Sequence, residues 1–529
     1  MVAVLALTVL CLALAPVLPP QWQPWTQFTL AAVTAMLLTA RRGGRPVLAR
    51  RLRPRDVPVD VVDLVAPDRS LVGCVDGDRV VTTAVELSAG ALVDTGVGGD
   101  EPADFHGVRL PLAAIARQLD QGGVLLEGID VVVEGRRAVD GPAGDVYSAL
   151  VGPLPLISRR RVILLARFDI IRLASDAVDG GEDALQQIVT VATERLRRAL
   201  VHHGIPCRVL DATELAEMYL ASEAAPPAGT GLVVRPGADP RRVVDAMTAV
   251  GATAVTEVLR LRRVEGRADV VDVVTTVGVT GVDDTVLPAE AGTPCHRLPT
   301  ARVLPVPGET LPEAVAGSLA RRRIDSLQAV APPAHGAGQI LGATSSGSAT
   351  ALQLAGPHLR SVLLAARPAV CRQVAFRAVA SGYRIAVVTD VPERWRPLSA
   401  IADESRYRIV DPGSSDAGAP VDAVMWDVDG PLSEGRIDAL AGPGGPDVTP
   451  PTVIRVDADW DARTTPRNSS TAPPDLVLDG RIDGWISVEP RGDDPHRVFV
   501  VSGPGEEDYV RRGPLTPAGA VPAASPDRP

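Results

Sequence analysis

Two aspartates close an apolar run at Val424 to Leu432 (VMWDVDGPL), and their spacing is the strongest hint of chemistry in the chain. Asp427 and Asp429 sit one residue apart where a predicted strand ends. In one reading the first carboxylate attacks a phosphate while both hold Mg²⁺, as a phosphatase does. In another the pair grips a metal-bound nucleotide sugar, as a glycosyltransferase does. Against the phosphatase, Pro431 stands where a small hydroxylated residue belongs, and the chain contains no lysine. Asp-Gly after a strand is also an ordinary turn, and the turn is the preferred reading. Gly336-Ala337-Gly338-Gln339-Ile340-Leu341-Gly342 has the wrong spacing for a dinucleotide loop and leads into turn residues, so hairpin turns are expected there. Asp457, Asp459 and Asp461 begin like a calcium loop, but Ala462 replaces the glycine and Asn468 the closing glutamate. His202-His203 ends a predicted helix, where imidazoles favour the last carbonyls. Ser345-Ser346 lacks a nucleophile-elbow context. No catalytic, metal-ligating or cofactor-binding residue is therefore assigned.

Composition narrows the chemistry further. With 529 residues the chain exceeds one ordinary core. Every cation is an arginine, which removes a Walker A lysine, a Schiff-base lysine and a kinase-type lysine together. The formal charge is −11, and the first fifty-five residues carry seven arginines and no acid, so the remainder carries −18. That balance argues against a nucleic-acid-binding body. Cys11, Cys74, Cys207, Cys295 and Cys371 are far apart, without zinc spacing, and read as packing residues in a reducing compartment. Aromatics make up 3%, too few for stacking platforms.

The elements that would position these residues read as mixed α/β. Residues 57–87 alternate apolar and polar positions with Asp-Gly turns, the pattern of antiparallel strands. Helices are expected near Leu112–Leu119 and, most clearly, over Glu182–His203. There Leu185, Ile188, Val189, Ala192, Leu196 and Leu200 form a stripe, with Gly204 placed for the left-handed position beyond the end. Strand Cys207–Leu210 and a short helix follow, an alternation that predicts an α/β layer. VTEVLRLRRV and ADVVDVVTTVGVT flank a Glu265-Gly266-Arg267 hairpin. A second α/β unit opens with a hairpin (QILGATSSGSATALQL). It continues through strand Arg360–Ala366, helix Ala369–Ala380, strand Arg384–Asp390, a helix near Glu393–Ala402 and strand Val421–Trp426. This spacing implies parallel pairing. The expected organisation is 1–40 a transmembrane hairpin, 41–56 a basic collar, 57–223 an α/β domain, 231–334 a β-rich continuation, 335–512 a second α/β unit and 513–529 a disordered tail.

The beginning of the chain carries the location. Val2 to Leu18 and Trp25 to Ala40 are uncharged and near the length of a membrane span. Trp22 and Trp25 between them suit a headgroup layer. Arg41, Arg42, Arg45, Arg50, Arg51, Arg53 and Arg55 then mark the cytoplasmic side. The expectation is a two-pass inner-membrane hairpin, lipid contact through residues 1–55 and a cytoplasmic body. A cleaved signal peptide fits less well, since no basic region precedes Val2.

Four stretches in order resemble EccE, the membrane component of actinobacterial type VII (ESX) secretion systems. They are the hairpin with its arginine collar; LVGCVDGDRVVTTAVEL; LPLAAIARQLDQGGVLLEGIDVVVEGRR; and YSALVGPLPLISRRRVILLARFD continuing to HHGIPCRVLDATEL. RIAVVTDVPERW looks like the family's C-terminal part. The resemblance implies a structural, non-catalytic translocon subunit, assembled in several copies with EccB, the ATPase EccC and EccD. It also implies a glycosyltransferase-like or Rossmann-like α/β body without the activity, and no cofactor. The competing reading is a membrane-anchored nucleotide-sugar glycosyltransferase using Asp427 and Asp429.

Overall fold

The computed structural model describes residues 41–42, 45–46 and most of 60–510. Within that range, residues 78, 89–93, 98–108, 177–180, 225–228, 283–294, 299–302, 306–310, 312, 346, 357–358, 401–403, 415–418, 429–434, 436, 438–439, 441–449, 458–472 and 493 lie outside the described set. Residues 1–60 form one unit and 61–529 another. In the first unit, β1 (Arg41–Arg42) and β2 (Arg45–Pro46) pair antiparallel.

The second unit is built on two eleven-stranded sheets. Along the chain come β3 (Asp60–Val65), β4 (Leu71–Asp76), β5 (Val80–Leu87), β6 (Asp94–Val97), α1 (Leu112–Arg117), β7 (Gly128–Arg136), α2 (Pro142–Val151) and β8 (Arg159–Asp169). Then follow α3 (Ile170–Asp176), α4 (Gly181–His202), β9 (Cys207–Val209), α5 (Ala212–Ala224), β10 (Gly229–Val234), α6 (Pro240–Ala249), β11 (Ala254–Val264), β12 (Arg267–Thr280), β13 (Cys295–Leu298), α7 (Glu313–Ala316) and β14 (Ala320–Arg323). The first sheet runs β13-β10-β12-β11-β7-β8-β5-β4-β3, with β14 on β12 and β9 on β5. Its described pairings are antiparallel.

Side-chain alternation gives this sheet two faces. Val131 and Val133 of β7, Leu164 of β8 and Leu259 and Leu261 of β11 share a core with α1 and α4. Val255 of β11 lies on that same face and packs with Val243, Val244 and Met247 of α6. On the opposite face Val132, Ile163, Leu165, Val258 and Val274 are also buried, so the strands are covered on both sides. The α4 stripe docks as its spacing predicts, with Val189, Ala192, Leu196 and Leu200 buried. Its end is a Schellman closure: Ile205 N–H donates to Leu200 O and Gly204 N–H to Val201 O, with Gly204 at φ +75°.

The second sheet begins with β15 (Gln339–Ala343), β16 (Ala349–Leu352) and β17 (Ser361–Ala366), followed by α8 (Pro368–Ala380), β18 (Ile385–Thr389), β19 (Tyr407–Val410) and β20 (Ala423–Asp427). It continues with β21 (Thr452–Asp457), β22 (Leu476–Gly480), β23 (Trp485–Pro490), β24 (His496–Phe499) and α9 (Glu506–Val510). Its order is β19-β18-β20-β21-β17-β22-β23-β24-β15-β16-β6. The block from β19 to β22 is parallel and the remainder antiparallel. α8 covers one face and is itself buried on nearly every side, with Cys371, Val374, Phe376 and Val379 in the core. The other face holds Val388, Val424 and Leu440. β6 and α2, from the first part of the chain, join this second core through the β6–β16 pairing and through Ala143, Tyr147 and Val151.

This architecture corrects the expected fold class. Among the described residues no helix is long and apolar enough to cross a membrane. The 22-residue α4 has the length, but Glu194, Arg195, Arg197 and Arg198 give it a charged face that hydrocarbon would not solvate. The bulk is sheet rather than a transmembrane hairpin followed by Rossmann-like or glycosyltransferase-like domains. The α/β layer expected over residues 57–223 is an antiparallel sheet with helices laid on it, because β7 and β8 pair in opposite directions around α2. The spans expected at Val2–Leu18 and Trp25–Ala40, the remainder of the collar and the tail lie outside the described residues.

Candidate functional site

Parallel strands gather their carboxyl ends on one edge, which is where α/β sheets bind ligands. Here that edge holds Thr389 at the end of β18, Asp427 at the end of β20 and Asp457 at the end of β21. Thr389 and Asp427 face each other in register. The chain leaving β18 turns through a 3₁₀ segment, Pro392–Arg394, and places Arg394 and Trp395 over the end of β20.

Asp427 is 7% exposed and is held from three sides. Its Oδ1 accepts from Arg394 Nη1 at 2.7 Å, and its Oδ2 accepts from Trp395 Nε1 at 2.6 Å and Thr389 Oγ1 at 3.0 Å. Trp395 is fully buried, and Tyr407 Oη donates to its carbonyl at 3.1 Å. A carboxylate neutralised by a guanidinium and occupied on both oxygens ties a turn to a strand; it does not need a cation. Asp429, Asp459, Asp461 and Asn468 lie outside the described residues. Among the described residues no group of three or more His, Cys, Asp or Glu is placed to hold a metal ion. Replacing Asp427 by alanine leaves the Trp395 N–H and Arg394 without their acceptor, and is expected to lower stability by about 2–4 kcal/mol. Urea unfolding measures that loss, and millimolar Mg²⁺ or Mn²⁺ is expected to leave the wild-type midpoint unchanged.

The glycine-rich stretch has a different purpose from phosphate binding. Ala337 N–H donates to Ile157 O and Gly338 N–H to Ser158 O, both at 2.9 Å, so this segment stitches the start of β15 to the entry of β8. A Cβ on Gly336 would lie 2.3 Å from Ser158 O, so only glycine admits the approach. Tyr147 of α2 completes the seam, its hydroxyl accepting from Ile340 N at 3.0 Å.

Other polar residues are committed to packing. Burial raises the thiols of Cys74 and Cys371 to about 12 and that of Cys207 to about 11, so none is a thiolate at neutral pH. His202 and His203 stand edge to face at the end of α4, and Ser345 lies in the exposed β15–β16 turn. In the first sheet, Asp130 is fully buried, 2.6 Å from Arg262 Nη1 and 3.7 Å from Arg167 Nη1. Burial alone would raise its carboxyl, and Arg262, Arg167 and Arg260 outweigh that and hold it below the usual range. A cleft of about 250 Å³ opens beside the start of α8, lined by Arg367, Gln373, Asp483, Trp485 and Glu506. Its Glu506 is already bound to Arg377, with Nε donating to Oε1 at 2.6 Å.

Sequence reading singled out Asp427 but not Arg394, Trp395 or Thr389, which decide its role. RIAVVTDVPERW contained all three, and the local signal was a strand followed directly by Pro392 and a tryptophan. What the site offers is an ion-paired, hydrogen-bonded strand end without an assembled nucleophile and base among the described residues. A search of curated proteins finds no match. Residues 156–256, running from the entry of β8 through α4 into β11, match the family model of the type VII ESX secretion system translocon, EccE.

Proposed function

We propose that the chain is a structural, non-catalytic subunit of a type VII secretion translocon, presenting its two-sheet body to partner subunits. The observation that carries this reading is the match of residues 156–256 to EccE. That stretch holds α4, the whole of β8 and only the first residues of β11, so the family likeness falls on the scaffold. The occupied oxygens of Asp427 favour a scaffold over a transferase, since a glycosyltransferase would need that carboxylate free for its metal. Membership of a secretion complex also accounts for association with the membrane. The partners proposed are EccB, the ATPase EccC and EccD, with several copies of the chain in the assembly. The test is purification of the tagged full chain in mild detergent from cells expressing the secretion operon. EccB, EccC and EccD are expected in the complex, and substrate export should fall when the gene is deleted. Recovery of the chain without any of the three, together with undiminished export, would reject the proposal.

A further inference from the structure

Several described carboxylates, Glu86, Asp130 and Glu194 among them, are shared by two arginines, and at one such place two further arginines stand close by. Arg159, at the start of β8, lies over the Tyr383 ring with its guanidinium carbon 4.7 Å from the centroid. Its Nη1 donates to Gly382 O and, at 3.1 Å, to Asp422 Oδ2. Arg384 donates to the same carboxylate through its backbone N at 2.8 Å and Nη2 at 3.1 Å. Asp422 is therefore shared by two arginines. Burial would raise its carboxyl, but the two guanidinium groups hold it below the usual range.

Two further arginines complete the cluster. A Cβ on Gly382 would lie 3.3 Å from Arg136 Cδ and 3.6 Å from Arg159 Cδ, so both side chains flank the same glycine. Partial desolvation of its inner face, and then the nearby charges of Arg406 and Arg159, lower the pKa of Arg136, against the pull of Asp140 and Glu134. Among the described residues neither Arg136 nor Arg406 has a carboxylate within 4 Å. Arg136 and Arg384 are exposed and Arg159 and Arg406 half-buried, so the group opens to solvent. Two arginines thus hold one carboxylate, Arg136 stands beside Gly382, and Arg406 is brought alongside by the Ile385 N–H, which donates to its carbonyl at 2.8 Å, on a chain whose portion beyond residue 55 is otherwise strongly acidic.

We propose that this arginine cluster around Tyr383, at the seam between the two sheets, docks an acidic segment of a partner protein, with its Asp or Glu carboxylates on Arg136 and Arg406. Arg159 and Arg384 already show the mode of binding, since they hold the Asp422 carboxylate between them. Guanidinium forks fit carboxylates through paired N–H donors. The site is open rather than enclosed, so a single small ion would keep much of its water, while a segment with several carboxylates gains from each contact. Elsewhere the acidic body repels such a segment, which fixes where it lands. The identity of the partner as a translocon subunit rests on the proposed function; the site itself does not.

The test uses the full chain and a fluorescein-labelled hexaglutamate peptide, read by anisotropy at low and moderate salt. Saturable binding that weakens with salt is expected, and Arg136→Gln with Arg406→Gln should reduce affinity by at least about tenfold. Arg367→Gln, at an exposed arginine paired with Asp483, should bind like the wild type. If the double variant does not fold, Arg406→Gln alone carries the comparison, with a smaller loss expected. Absence of wild-type binding, equal binding by the variants, or complete displacement of the peptide by millimolar inorganic phosphate would each overturn the proposal. Peptide binding without recovery of translocon partners would leave the docking site standing and reject only the proposed function.

Discussion

Replacing Arg377 by alanine is expected to lower the stability of the chain by about 3–5 kcal/mol, because it strands a buried carboxylate. Arg377 and Glu506 have side chains 2% and 1% exposed. Arg377 Nε and Nη2 donate to Glu506 at 2.6 and 3.0 Å, its Nη1 to the carbonyls of Ile340 and Leu341, and its Nη2 also to Val501 O. Glu506 accepts further from Gln373 Nε2 at 3.1 Å and from the Gly503 amide at 2.9 Å. One ion pair thereby fastens α8, β15 and α9 together, and without Arg377 the Glu506 carboxylate and the carbonyls of Ile340, Leu341 and Val501 would lose their donor in a dry core. Urea unfolding of the full chain measures the loss, and hydrogen exchange should show early opening of α9. The double replacement Arg377→Met with Glu506→Leu removes both charges and should cost less than Arg377→Ala alone, since no unpaired ion remains. A loss below about 1 kcal/mol for Arg377→Ala would mean that the pair is solvated and does not fasten the three elements.

Local periodicity and local caps carried most of what the sequence made legible. The α4 stripe, Gly204 beyond its end and the Glu265-Gly266-Arg267 hairpin are all in place, the last with Gly266 at φ +69°. Each depends on residues a few positions apart. The helix α2 escaped because Pro142 and Gly144 read as a turn and its buried stripe, Ala143, Tyr147 and Val151, is short. Gly144 is required there by the Val139 carbonyl, which would lie 1.7 Å from an added Cβ. Strand direction escaped for a different reason. A strand, a helix and a strand can pair either way once the connection is long enough, and β7 with β8 took the antiparallel option. The expected helix near Glu393–Ala402 is two 3₁₀ turns, since Pro392 and Pro397 interrupt helical hydrogen bonding. The candidate site was legible only in part. Arg394 and Trp395 were within reach of Asp427 in sequence, whereas Arg159 and Asp422 are 263 positions apart and no local signal links them.

Gly338→Ala is expected to be among the most damaging single-methyl additions to this chain, with a loss of about 4 kcal/mol or more. Two effects act together. Gly338 has φ +83°, where an L side chain costs about 1–2 kcal/mol. A Cβ there would also lie 2.1 Å from the carbonyl carbon and oxygen of Leu352 and 2.4 Å from Gln353 N. These are backbone atoms of β16 and its exit, so no rotamer change relieves the overlap. The chain could respond only by moving Gly338 away, which would break the Gly338 N–H to Ser158 O bond and disturb the seam between the sheets. Gly347→Ala supplies the control. Gly347 has φ +85° in the β15–β16 turn, with nothing within 4 Å of an added Cβ, so it carries the conformational strain alone. Its expected loss is about 1 kcal/mol. The difference between the two variants, read from urea midpoints under identical conditions, isolates the close approach of backbones at the seam. Equal losses would mean that β15 and β16 have room to separate, and that the glycines of this stretch serve turn geometry rather than contact between the sheets.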